Sequence, residues 1–138
     1  MYLRDFQYVL RQHRFDLYTG LRKRWGPIEL HIRRRIPKRY KFGGVGKVVL
    51  ELGADKPSGH PPPYRELLGV ALYHCPDFDP KLFLAKSETR QRREMIELTS
   101  AAMSVLADRF AADITWLKKT LEEIEQENAE RTDECEPG

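Results

Sequence analysis

Between Leu21 and Lys41 the chain carries nine Lys/Arg, and only Glu29 opposes them. They are Arg22, Lys23, Arg24, Arg33, Arg34, Arg35, Lys38, Arg39 and Lys41, with Trp25, Tyr40 and Phe42 interleaved. Cationic groups bind phosphate and aromatic rings stack on bases, so the mixture suits nucleic acid. It equally suits an acidic protein surface, for which Arg and aromatic residues are good anchors. A third reading is a solvated face that neutralises the chain's own acidic end. The expected partner-binding residues are Arg22, Arg24, Trp25, Arg33, Arg35, Lys38, Arg39 and Tyr40.

Other constellations fall short of a chemistry. Gly43-Gly44-Val45-Gly46-Lys47 has the glycine content of a phosphate loop. Such a loop needs Gly where Lys41 stands and Ser/Thr where Val48 stands, so a turn between strands is the expectation. His74, Cys75, Asp77 and Asp79 lie close together but match no zinc spacing. Asp79 also precedes Pro80, the arrangement of a helix cap. His13, His31 and His60 are scattered, so no nucleophile–base arrangement can be assembled from them. No catalytic residue, metal ligand or cofactor is expected, and a non-enzymatic protein is the leading reading. Arg90, Arg92 and Arg93 open a helical segment against its dipole, and Glu88, Glu94 and Glu97 are placed to offset them.

The charge is divided along the chain. Residues 1–65 hold 15 Lys/Arg against 5 Asp/Glu, while residues 66–138 hold 9 against 16. The formal net charge of +3 conceals this asymmetry, which points to an interacting surface rather than to a fold. Cys75 and Cys135 form no disulfide framework, so a reduced, cytoplasmic setting is expected. The first ten residues lack the order of a signal peptide, and nowhere do 18 apolar residues run together. No membrane partner is expected.

The elements that would position these groups follow from periodicity. Leu3, Phe6 and Leu10 have helical spacing, whereas Phe6, Tyr8 and Leu10 alternate; a short helix over Tyr2–His13 is the expectation. Residues 15–22 alternate as a strand, Gly26-Pro27 punctuates, and Ile28, Leu30 and Ile32 alternate again. A further strand is expected over 47–52, a loop over 53–63 and a strand over 67–73. Ile28, Leu30, Ile32, Val48, Leu50, Val70 and Leu72 are the predicted core face.

After Pro76 the period becomes helical. A short helix should start at Asp79-Pro80. Ile96, Met103, Phe110, Leu117 and Ile124 then recur every seven residues. One straight helix from Ser87 to Asn128 would be about 63 Å long, against roughly 35–40 Å for a globule of this size. A break is therefore expected near 110–113, with Asp113 as cap. The expected organisation is one domain over 1–129 and a disordered acidic tail over 130–138. The fold class is α+β: an antiparallel sheet of three or four strands, an N-terminal short helix, and C-terminal helices packed on one face.

This order, with basic residues on a hairpin and Arg90-Gln91-Arg92-Arg93 at a later helix start, resembles the double-stranded RNA-binding domain over residues 2–110. The family's lysine block before a small residue is absent. In general character the chain is also similar to small bacterial proteins that neutralise a partner toxin. The expected function is a protein-binding module acting through charged surfaces, of which an immunity- or inhibitor-type protein is one version. The alternative is RNA or DNA binding through residues 21–41. A homodimer through the C-terminal helices is a further expectation.

Overall fold

The computed structural model describes residues 1–10, 15–53, 64–75 and 77–135. Most of the expected loop over 53–63, His13 and His60, and residues 136–138 of the expected tail lie outside the described residues. The elements are β1 (Asp5–Leu10), α1 (Phe15–Arg35), β2 (Lys47–Leu52), β3 (Tyr64–Leu67), β4 (Val70–Cys75), α2 (Pro80–Ala85), α3 (Glu88–Phe110) and α4 (Thr115–Cys135).

The largest correction concerns residues 15–35. The two expected strands are one helix. Leu21, Trp25, Ile28 and Ile32 follow steps of four, three and four residues, and all are buried; this is the stripe that a helix presents to a core. The alternation of Ile28, Leu30 and Ile32 is incidental, and Leu30 is 41% exposed. Pro27 lies inside α1, on its exposed side. The carbonyl freed by the missing Pro27 N–H therefore faces solvent, which limits the cost.

The N-terminal segment is strand β1 rather than a short helix, because Phe6 and Tyr8 bury one side of an alternating pattern. With a helix between them, β1 and β2 run parallel. The sheet order is β1-β2-β4-β3, with β2 and β4 also parallel and β3 antiparallel to β4. The sheet is thus mixed, not antiparallel, within an α+β fold. The expected order of helix, three strands and helix is not the observed one, so the resemblance to the RNA-binding domain does not extend to topology.

Register assigns the faces. Tyr8 pairs with Leu50, and Leu50 with Tyr73. Tyr8 also reaches Trp25 of α1, at a ring-centroid distance of 6.2 Å, and Thr99 of α3. The helix-facing side therefore carries Phe6, Tyr8, Val48, Leu50, Ala71 and Tyr73. Val70 and Leu72, expected in the core, lie on the opposite face with Val49, Glu51 and His74. The one-residue difference arises because Leu68-Gly69 forms a turn, which starts β4 at Val70.

In the helical half the expected helix start at Asp79-Pro80 and the break near 110–113 are found, and α4 continues to Cys135, past the expected start of the tail at 130. Asp79 accepts from Lys81 N at 2.9 Å and Leu82 N at 3.1 Å, with Pro80 beginning α2. Gln91 of α3 donates from Nε2 to Phe83 O and Lys86 O, closing the end of α2. The long periodic segment breaks after Phe110, where Ala111 adopts a left-handed conformation. Asp113 then accepts from Thr115 N at 2.9 Å and starts α4. Leu106, Ile114, Leu117, Leu121 and Ile124 join the common core.

Candidate interaction surface

Helix α1 distributes the basic run into distinct stripes. The apolar stripe of Leu21, Trp25, Ile28 and Ile32 enters the core, and Trp25 is wholly buried. Trp25 therefore offers a partner no surface.

A second stripe, Arg22, Glu29 and Arg33, turns toward β1. Glu29 is 1% exposed and accepts from Tyr8 N at 2.9 Å. Arg33 donates to Glu29 and also lies 3.6 Å from Asp5, while Arg22 stands 3.6 Å from Glu29. These two arginines neutralise a buried acid.

A third stripe, Arg24, His31 and Arg35, faces α3 and α4. Arg24 lies 3.6 Å from Glu88. His31 Nε2 and Arg35 meet the same oxygen of Glu123, at 3.1 Å and 3.2 Å. Part of the basic run thus serves the chain's own acidic helix.

The outward stripe is Lys23, Pro27, Leu30 and Arg34, all exposed. Lys23 and Arg34 make no ion pair among the described residues. Pro27, Leu30, His31, Arg34 and Arg35 line a shallow concavity of about 550 Å³. A smaller cleft of about 180 Å³ adjoins it through Pro27 and is lined by Lys23, Arg24, Glu88, Gln91 and Arg92. The result is an apolar centre with cations at both ends.

Beyond the helix, Lys38 and Arg39 are exposed, Arg39 with a φ of 57°. Tyr40 is half-buried. Its hydroxyl donates to Asp113 O at 2.5 Å and its ring packs edge-on to Trp116. Burial, opposed by its hydrogen bonding, raises the phenol's pKa. Phe42 is buried. Of the expected contact residues, Arg22, Arg24, Arg35, Lys38 and Arg39 remain at the surface and Arg33 is partly exposed, while Trp25 and Tyr40 are committed to packing.

Compared with protein-family models, curated proteins and solved structures, the chain matches none of them. The surface must therefore be read from its own chemistry.

The remaining constellations resolve as structure. Gly43 and Gly44 have φ of 57° and 80° in a turn that leads into β2. His74 Nδ1 pairs with Glu51 Oε1 at 3.0 Å across neighbouring strands; sequence distance hid that contact. Burial pushes the Cys75 thiol up to about 12, which leaves it protonated and unreactive near neutrality. Asp79 is spent on its cap. Among the described residues no cluster of three or more His, Cys, Asp or Glu side chains could hold a metal ion. At α3, Ser87 caps Arg90 N, and Arg93 lies 3.7 Å from Glu125. No helix among the described residues is long and apolar enough to cross a membrane.

Proposed function

We propose that this protein is a non-enzymatic binding module for a protein with an acidic surface, engaged through the outward face of α1. The observation that carries the reading is the selective pairing along that helix. Arg22, Arg24, Arg33 and Arg35 have internal acids, whereas Lys23 and Arg34 have none among the described residues and flank exposed Leu30. Charged ends supply steering and register, and the apolar centre supplies contact area. Lys38 and Arg39 extend the positive field beyond the helix.

The position of the aromatic residues favours a protein over nucleic acid. Single-strand readers expose rings for stacking; here Trp25 and Phe42 are buried and Tyr40 is hydrogen-bonded to Asp113. An inhibitor- or immunity-type role fits a surface that offers electrostatic complementarity without a reacting group. The test is affinity capture with the wild-type chain and with a Lys23→Glu/Arg34→Glu variant. A protein retained by the first and lost by the second should then bind the wild type when purified. Equal binding of that purified protein to both chains would reject the α1 face as the contact.

A further inference from the structure

A second surface lies at the end of the sheet where β1, β2 and β4 begin. Four segments meet there. Leu3 N donates to Tyr40 O at 2.8 Å, Arg4 N to Gly46 O at 3.0 Å, and Gly46 N to Gly69 O at 2.8 Å. The Met1 sulfur covers the turn, since a Cβ on Gly69 would stand 3.1 Å from it. The three most exposed large hydrophobic residues among those described collect at this corner: Leu68 at 93%, Met1 at 74% and Leu67 at 67%.

Leu68 is doubly misplaced for stability. It and Gly69 form the two-residue turn between β3 and β4, with φ of 52° and 77°. Such a turn favours Asn, Asp or Gly at its first position, and a leucine there is strained. Leu68 also leaves its whole side chain in water. Backbone strain and apolar exposure at one residue point to use by a ligand. Arg39, a second non-glycine residue with positive φ, lies at the same end beside Tyr40.

Cations lie along the same end of the sheet, with exposed Asp113 among them beside Tyr40. Arg4, Lys38, Arg39, Lys41 and Arg65 are exposed and have no ion pair among the described residues. Glu66 is an exposed acid on the hairpin, while Asp5 is engaged by Lys47 and Arg33. Four strands span only about 14 Å at the usual spacing, so tip and cations can meet one flat surface together.

We propose that this end of the molecule docks on an anionic lipid surface. Leu67, Leu68 and Met1 enter the headgroup–acyl boundary, and the surrounding Lys and Arg side chains lie against headgroup phosphates. The apolar element is an exposed turn rather than a groove. Leucine is under-represented at protein hot spots but well suited to the interfacial layer. Unpaired cations around it complement the negative potential of anionic lipids. Surface docking of this kind needs no membrane-spanning helix, and it uses none of Lys23, Leu30 or Arg34.

The test is flotation of the full chain with vesicles of phosphatidylcholine alone and with about 30% phosphatidylserine, since anionic lipid supplies the attraction. The chain should float with the anionic vesicles only, and less so as salt rises. Leu67→Asp/Leu68→Asp should lower partitioning by about tenfold or more, because two buried leucines become two repelled acids. Leu68→Asn, which suits the turn, should raise the melting temperature and still weaken flotation. Lys23→Glu/Arg34→Glu should float more strongly than the hairpin double variant. Absence of wild-type flotation, or flotation indifferent to both hairpin variants, would overturn the proposal. A protein that binds the hairpin while vesicles do not would assign the tip to a protein partner instead.

Discussion

Glu29 of α1 places Oε2 2.9 Å from the backbone nitrogen of Tyr8, on edge strand β1. An edge strand presents amides that no neighbouring strand pairs. One acid on the covering helix satisfies this one, and Arg33 and Arg22 compensate its buried charge. The only acid within the basic run therefore joins helix to sheet and blocks strand addition at that edge.

Glu29→Ala should destabilise the fold by about 1–3 kcal/mol, because a buried N–H loses its acceptor. Arg33 and Arg22 are partly exposed and recover water, so the full penalty of a broken buried ion pair does not apply. Glu29→Gln retains an acceptor and should cost less. Urea melts of both variants check the order, and equal costs would mean that the Tyr8 amide is not the decisive partner.

Stability should fall on the alkaline side. Burial raises the Cys75 thiol from 9.0 to about 12 and raises the Tyr8 phenol above its ordinary 10.0. Thr99 donates to Met95 O at 2.6 Å, so the Tyr8 hydroxyl donates to Thr99. Each group holds its proton longer folded than unfolded, and each contribution is complete below its unfolded pKa. It is lost as pH rises, above about 9 for Cys75 and about 10 for Tyr8, at up to about 1.4 kcal/mol per pH unit for each group. Denaturant melts from about pH 7 to about pH 10.5, which spans the ordinary thiol and phenol values, should show this slope. Cys75→Ala should flatten its first part.

Leu30 and Leu50 separate the helical reading of α1 from the strand reading. Leu50 is fully buried, and Leu50→Ala should cost about 2–5 kcal/mol. Leu30→Ala should change stability by less than about 0.5 kcal/mol, as for other exposed positions. Comparable losses in thermal melts would place Leu30 in a core, where a strand would put it.

These residues also show what was legible in the sequence. The α2 cap, the break at Asp113 and the β2 strand rest on local chemistry, and each is found where Asp79, Asp113 and Val48–Leu52 indicated. Helix α1 was obscured because Ile28, Leu30 and Ile32 satisfy a period of two over five residues. The longer series Leu21, Trp25, Ile28 and Ile32 decides only over a wider window, and Gly26-Pro27 interrupts it. Strand direction was likewise hidden: once α1 is taken for two strands, hairpins become the natural connection and the sheet reads as antiparallel. On the candidate surface, the run's charge was legible but its allocation was not. Which arginines are free depends on Glu29, Glu88 and Glu123, two of them distant in sequence.

Gly43 should tolerate no side chain. Its φ is 57°, and a Cβ would stand 2.2 Å from Phe110 Cδ1. Phe110 stacks edge-on with buried Phe42, which limits its retreat. Gly43→Ala should destabilise by about 1–3 kcal/mol through overpacking and strain. Gly44 also has a positive φ, 80°, but open space around it, so Gly44→Ala bears only the backbone part and should be milder. Melting temperatures of the two variants read the difference directly.

The outward face of α1 separates the two binding readings. Lys23 and Arg34 are exposed and unpaired among the described residues, so Lys23→Glu/Arg34→Glu should leave the melting temperature nearly unchanged. The 138-residue chain titrated with duplex and single-stranded oligonucleotides near physiological salt should show no saturable binding up to about 100 μM, the weak end of ordinary non-specific association. Binding within that range would carry its own signature. Its logarithm would fall with log salt by about 0.9 for each B-form phosphate neutralised, and the double variant would lower that slope by nearly two units. Such a result would make α1 a phosphate-contacting helix and transfer the function to nucleic acid. Absence of binding, with an acidic protein held by the wild type and released by the variant, would leave the protein-binding reading standing.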